Sequence, residues 1–269
     1  MDFTKKLMVR TGTRVRLSHA DPDGTLGFEK NAETKKLTIK AVERLDALQS
    51  LLYAENKRAL LILLQGMDAA GKDGTIRHVM SGVNPQGCRV TAFIVPSHDE
   101  AEHDFLWRAH LATPERGQIG IFNRSYYEDV LVTRVHKLVP ETVWKKRYGQ
   151  INTFEDLLAE NGVTILKFFL HISKDEQKKR LQERLEDPRH QWKFSPADFA
   201  ERKFWDDYIE AYDDALTKCS TPAAPWYVVP ANHKWFRNLA ISRIIAQTLE
   251  GFQMKYPKPP FDLSQYKIK

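Results

Sequence analysis

Cysteine is almost missing from this 269-residue chain: Cys88 and Cys219 are far apart and form no CxxC pair. That excludes a disulfide framework and a cysteine zinc site. No apolar run approaches the roughly 18 residues a membrane span needs. The opening stretch, MDFTKKLMVRTGTRVRL, has no apolar segment of the kind a secretory leader carries. Internal repeats, low-complexity tracts and domain-splitting linkers are absent too. The nine histidines include no HExxH, and His98 and His103 do not share a helix face, which argues against zinc. No GxSxG and no Cys–His spacing points to covalent catalysis. What the chain does have is charge. Lys and Arg number 41 against 35 Asp and Glu, a net +6, within an ordinary globular composition of 42% hydrophobic residues. Such a surface suits a polyanion: nucleic acid, a phosphate-rich small molecule or an anionic membrane. The expectation is a soluble, reduced, cytoplasmic protein.

Residues 1–27 mix basic and turn-forming residues and read as an extended arm. Apolar residues from Glu29 to Lys57 recur at helical spacing. Ala59 to Leu64 is then a continuous apolar run ended by Gly66, too short for a buried helix, which predicts a central parallel strand. The alternation continues with strands over Arg89–Val95, Gly117–Phe122, Val163–Ile172 and Trp226–Val229. Helices follow Ser97 (to about Leu111), Pro140 (to Glu160), Ser173 (to Glu186), Ser195 and Lys234 (to Phe252), several behind capping boxes or an early proline. Five apolar strands alternating with helices predict one α/β domain built on a doubly wound sheet. The proline-rich tail, 254–269, reads as a packed strap.

The sharpest local signal is Gly66-Met67-Asp68-Ala69-Ala70-Gly71-Lys72-Asp73, a GxxxxGK directly after the first buried strand and before a helical stretch. The chemistry needs this order. Backbone N–H groups of Gly66, Ala69, Ala70, Gly71, Asp73 and Gly74 converge on a phosphate, and the helix N-terminus adds about half a positive charge. Lys72 reaches the phosphate oxygens as a point charge. Where such loops usually carry Ser or Thr for Mg²⁺, this chain has Asp73, and Asp68 adds a second carboxylate. Two acids beside a triphosphate require divalent metal between them, so Asp68, Asp73 and Asp129 are the candidate ligands of Mg²⁺, with Mn²⁺ as a substitute. Asp73 reads equally well as an acid favouring the helix dipole, with Thr75 as a fallback hydroxyl.

Asn123-Arg124 stands at the end of the third strand, where an aspartate that orients metal is usual. Arg124 there matches the bidentate geometry of phosphate. If Ser125 caps a helix, Asp129 falls on the side facing the loop; Asn123, Glu128 and Asp129 are the candidate nucleotide contacts. The alternative is that Glu128 and Asp129 decorate a helix start. Further on, Lys178, Lys179, Arg180, Arg184, Arg189, Lys193, Arg202 and Lys203 fall within two helices and the loop between them. Residues 173–203 therefore read as a mobile basic lid, with Arg184, Arg189 and Lys193 as its phosphate contacts. A solvated helical face with interleaved acids is the plainer reading. Trp192 stacks on a base or packs. Trp144, Tyr148, Trp205 and Tyr208 read as core or interface, and Asn232 and Lys234 as weaker contacts near a base.

Four blocks in this order, GMDAAGKDGT, FNRSYYEDVLVTRVH, RLEDPRHQWKFSPAD and VPANHKWFRNLAIS, resemble the polyphosphate kinase 2 family over about residues 10–260. The resemblance implies a thymidylate-kinase-like P-loop kinase fold. It also implies reversible, Mg²⁺-dependent transfer of the terminal phosphoryl group of inorganic polyphosphate to a nucleotide. The spelling Tyr126-Tyr127-Glu128-Asp129 resembles the subgroup taking both AMP and ADP, with guanine nucleotides left open. It further implies functional residues at Arg124 and in the acidic pair, and a homo-oligomer, dimer or tetramer. The competing expectations are an ATP-dependent nucleoside monophosphate kinase and a basic P-loop module that binds nucleic acid. Against the latter, no base-reading motif is present.

Overall fold

The computed structural model describes residues 2–193 and 195–266, the Lys193 side chain excepted. In chain order the elements are α1 (Phe3–Leu7), α2 (Ala32–Glu55), β1 (Ala59–Gln65), α3 (Lys72–Val79), β2 (Cys88–Ala92), α4 (His98–Ala101) and α5 (Trp107–Ala112). There follow β3 (Ile119–Asn123), α6 (Val132–Val135), α7 (Glu141–Glu160), β4 (Val163–His171), α8 (Lys174–Glu186), α9 (Pro196–Glu201), α10 (Trp205–Lys218), β5 (Trp226–Pro230) and α11 (Lys234–Gly251).

All five strands are parallel, in the order β2-β3-β1-β4-β5. The apolar run becomes β1, every residue of which is buried. It pairs with β3 through Leu60↔Ile119 and with β4 through Ala59↔Val163, so both its edges and both its faces are covered. Loops leaving β1 and β4 run to opposite edges of the sheet, and between neighbours of that kind an open α/β sheet leaves a crevice for ligand. Helix α2 starts under Asn31, whose side chain accepts from the Thr34 N–H. It stops at Asn56, which takes the left-handed conformation at φ 50°. Helix α11, apolar nearly all round, packs against α2 and α3.

Several elements depart from expectation. The N-terminal arm is partly helical, and Val9 donates to the Trp226 carbonyl (2.8 Å), so it covers the otherwise open edge of β5. Strand β2 ends at Ala92 rather than Val95. Its partner β3 turns away at Arg124, whose φ is 60°, and leaves nothing to pair with. The helix expected from Ser97 to Leu111 is two short ones. Asp104 accepts the Leu106 N–H on its side chain (2.9 Å) and the Trp107 N–H on its carbonyl (3.0 Å), a local turn that competes with helix. Residues 255–266 are exposed throughout, so the described tail does not pack as a strap.

Candidate active site

The phosphate loop joins β1 to α3. At Gly66 a side-chain carbon would lie 2.9 Å from the Leu170 carbonyl oxygen, and at Gly71 (φ 101°) it would lie 2.1 Å from the Arg237 guanidinium. Only glycine fits both corners. The loop is gripped from outside by two buried arginines. Arg180 on α8 donates through Nη1 to the carbonyls of Ala69 (3.1 Å) and Ala70 (2.9 Å), and through Nη2 to those of Ala231 (2.7 Å) and Asn232 (2.9 Å). Its Nε reaches Glu176 (2.7 Å), so every donor of the guanidinium is used. Arg237 on α11 adds a longer bond to the Ala70 carbonyl (3.3 Å). Burial, reinforced by the charge of Arg180, pulls its pKa down to about 9. Gln177 donates to the Asp68 carbonyl (3.0 Å). Because a trans peptide sets N–H opposite C=O, the N–H groups of Ala69 and Gly71 point away from these side chains.

Lys72, the first residue of α3, folds back onto the loop and donates to the carbonyls of Gly66 (2.8 Å) and Met67 (3.4 Å). Burial, then Arg124, lower its pKa to about 8, opposed by Asp68, Glu128 and Asp73. The Thr75 hydroxyl donates back to the Gly71 carbonyl (3.0 Å), inside its own helix.

The facing wall comes from the end of β3. Asn123 donates to Asp73 (2.8 Å), which ties strand end to loop. Arg124 adopts a left-handed conformation costly for a non-glycine residue, held by its N–H on the Leu64 carbonyl (3.0 Å). That bend aims its guanidinium at Asp68 (2.6 Å) and Glu128 (3.6 Å). After Ser125 the chain forms a tight 3₁₀ turn over Tyr126–Asp129 rather than an α-helix, with both tyrosines buried. The consequence is a correction. Glu128 faces the loop, accepting from Gln65 (3.1 Å), and burial raises its pKa against the opposing charges of Arg124 and Lys72. Asp129 turns away to Arg147 (2.9 Å), and burial lifts its carboxyl to about 6. The anticipated metal set of Asp68, Asp73 and Asp129 is therefore not gathered, since one acid pairs with Arg124, one with Asn123 and one with Arg147. Among the described residues no three His, Cys, Asp or Glu side chains converge as a metal cage. Asp68 and Glu128 do border one cleft. As hard oxygen donors they fit a Mg²⁺ that arrives on phosphates and keeps its waters.

The lid is less uniform than its charge suggests. Arg184 pairs with Asp198 (3.0 Å), and Arg189 grips Asp187 in its own turn while its side chain is 85% exposed. Neither touches the loop, and the Lys193 side chain lies outside the described residues. Trp192 is exposed and donates to the Arg189 carbonyl. Asn232 braces Ser173, accepting its N–H (3.0 Å), and Lys234 is exposed 4.0 Å from Glu183. Four residues that spacing alone did not single out line the cleft with Gly66, Asp68, Arg124 and Glu128: Val132, Gln177, Glu201 and Tyr212. Tyr208, expected in the core or at an interface, lines it too, its hydroxyl donating to Glu201 (2.8 Å) on α9. His136 meets the same carboxylate (3.0 Å), so α9 is fastened across the cleft mouth. Arg180 was visible only as one lid cation among many, and nothing in its spacing marked it as the brace of the loop.

No helix among the described residues is long and apolar enough to cross a membrane. The model of the polyphosphate kinase 2 family matches residues 28–257. An AMP/ADP-polyphosphate phosphotransferase of Meiothermus ruber is 54% identical over 257 residues, covering 95% of this chain and 96% of its own. An ADP-polyphosphate phosphotransferase of Rhodopseudomonas palustris is 48% identical over 267 residues, covering 95% and 92%. Among solved structures, a polyphosphate kinase 2 from Arthrobacter aurescens superposes with a TM-score of 0.94 over 98% of this chain and 95% of its own, at 44% identity. With the phosphate loop, the arginine facing it and the sheet beneath them all in place, this chain belongs to the polyphosphate kinase 2 family.

Proposed function

We propose that the chain moves the terminal phosphoryl group of inorganic polyphosphate to AMP and ADP, reversibly, in the cleft between the phosphate loop and the Arg124–Asp129 segment. The observation that carries this reading is the placement of Asp68, Arg124 and Glu128 around one cleft at the phosphate loop, with Lys72 folded onto that loop at the Gly66 carbonyl (2.8 Å), within a chain matched to the family over 28–257. An oxygen of the acceptor's phosphate attacks the terminal phosphorus, the bridging P–O bond breaks, and polyphosphate leaves one unit shorter. The acceptor oxygen is already ionised at neutral pH, so no general base is required. The transition state is loose, and catalysis is alignment and charge neutralisation. Lys72 leaves the Gly66 carbonyl for a phosphate oxygen, the loop N–H groups hold the same phosphate, and Arg124 neutralises the moving group. Asp68 and Glu128 are the residues that would hold Mg²⁺, or Mn²⁺ in its place. When bound, the ion would supply neutralisation of phosphate charge. Asp129 serves from the second row, keeping Arg147 beside the turn.

The reading includes a homo-oligomer in the cytoplasm, which light scattering and cell fractionation check. The decisive experiment is a donor–acceptor matrix of polyphosphate and ATP against AMP, ADP, GMP and GDP, with and without Mg²⁺. Transfer from polyphosphate to AMP and ADP is expected; transfer from ATP alone would make the chain an ordinary monophosphate kinase. Unchanged turnover with excess duplex DNA is expected as well, and tight duplex binding at moderate salt would favour the nucleic-acid module.

A further inference from the structure

Beneath the Tyr126–Asp129 turn lies a polar cluster with no path to solvent. Lys167 on β4 and Glu155 on α7 are both 0% exposed and pair at 2.5 Å. One oxygen of Glu155 accepts from both tyrosine hydroxyls, Tyr126 at 2.8 Å and Tyr127 at 2.9 Å. Lys167 completes its three donors on the Tyr127 hydroxyl (2.9 Å) and on the carbonyl of Cys219 (2.6 Å), where α10 ends. Burial drives Glu155 up and Lys167 down in pKa, and their mutual contact opposes both shifts. A fully satisfied pair of this kind is weak evidence of stabilisation, because well-packed apolar residues often replace such pairs without loss. Its connections are more telling. The cluster joins four elements, and two of them are walls of the cleft: the turn that carries Glu128 and the helix that carries Tyr208 and Tyr212.

The turn's rotation decides which of two adjacent acids faces the phosphate loop. With both tyrosines drawn inward onto Glu155, Glu128 is left toward Gln65 and Arg124, and Asp129 toward Arg147. Freed of that hold, the turn keeps the Ser125 side-chain cap at its start (3.2 Å) and the Arg147 bond to the Asp129 carbonyl at its end (2.9 Å), and loses the two hydroxyl bonds that tie its middle to the core. The rings stay buried and packed, and the hydroxyl bonds add a directional constraint on their depth and tilt beyond that packing. We propose that Glu155 and Lys167 are positioning residues, holding Tyr126 and Tyr127 by their hydroxyls so that Glu128 rather than Asp129 is presented to the reacting phosphates. The inference rests on the phosphotransfer reading above and names the part of the fold that sets its geometry.

The test is a coupling experiment on the full-length protein, reading kcat and KM for AMP with polyphosphate as donor, together with thermal melting. Tyr126→Phe/Tyr127→Phe removes the tethers and keeps the rings. Misplacement of a reacting group by about an ångström costs up to roughly a hundredfold in rate, and we expect the pair to lower kcat by about tenfold or more. In a Glu128→Gln background the same two changes should lower kcat by less than about twofold, because the tyrosines then have nothing left to place. Glu155→Gln/Lys167→Met, which keeps an acceptor for both hydroxyls, should lose clearly less kcat than Glu155→Leu/Lys167→Met, which keeps none; equal losses would overturn the proposal. Losses that multiply in the Glu128→Gln background, or that follow the fall in melting temperature, would overturn the proposal in favour of a purely structural cluster. If the double tyrosine variant does not fold, Tyr126→Phe alone carries the same cycle. A wild-type enzyme unable to use polyphosphate would fail earlier and separately, at the functional reading itself.

Discussion

Arg180 sits within α8 and Arg189 just past its end, yet the two work in opposite environments. Arg180 is buried and directs every donor at the phosphate loop, the segment before α11 and Glu176. Arg189 stands in solvent and, among the described residues, its guanidinium pairs with Asp187, a neighbour in its own turn. The first arginine braces the loop through its carbonyls; the second is held by no core residue among the described residues. A run of basic residues thus falls into two settings, a buried brace and an exposed tip, separated where Asp187-Pro188 ends the helix.

The comparison can be broken most directly at the loop itself. Lys72→Ala should lower kcat by about a thousandfold or more, since it removes the phosphate loop's own cation and leaves only Arg124 on the facing wall. Residual turnover near wild type in a phosphate-release or coupled assay would remove the loop from the mechanism. Next in size is Arg180→Met, which strips the donors from four backbone carbonyls and leaves Glu176 unpaired. Breaking a buried, charge-assisted network of this type costs about 3–5 kcal/mol, to be read by urea unfolding, with activity lost in parallel. An unchanged unfolding midpoint would mean that the arginine is not a brace.

A smaller effect follows from the pKa of Lys72, lowered from 10.5 to about 8 in the free protein. Above pH 8 the ammonium loses its proton, so kcat/KM should fall with pH, whereas kcat should not, because bound phosphate restores the charge. Stability moves the other way. The unfolded chain binds more protons than the folded one between pH 8 and 10.5, so this group's contribution to stability rises across that window. Melting temperature and kcat/KM measured on the same samples check both signs. The smallest effect belongs to the tip. Arg189→Ala with Lys193→Ala should raise KM for long chains by about threefold, and less for short ones, with the difference shrinking at high salt. Melting should not change, and equal effects on both lengths would end the reading of the tip as a chain contact.

Much of this was legible from local chemistry. The run Ala59–Leu64 could only be a doubly covered strand, and GxxxxGK behind it could only be a phosphate loop with Lys72 at its helix start. Arg124 at a strand's end beside that loop was legible for the same reason. Less legible were the two acids that follow. Glu128 and Asp129 are adjacent and chemically alike, and helical geometry would have turned Asp129 inward. The turn is instead 3₁₀, and its two tyrosines reach a carboxylate that enters from α7, 29 residues after Tyr126.

The order of the strands and of the longer helices, and the loop and its lysine, followed from the sequence by itself, because hydrophobic period, glycine corners and capping residues act over a few neighbours. Which acid looks into the cleft, which arginine braces the loop and which tyrosines line the pocket were decided only by the tertiary structure. Those choices depend on partners that reach across elements to compete for buried donors and acceptors, and no local spacing records which partner will arrive.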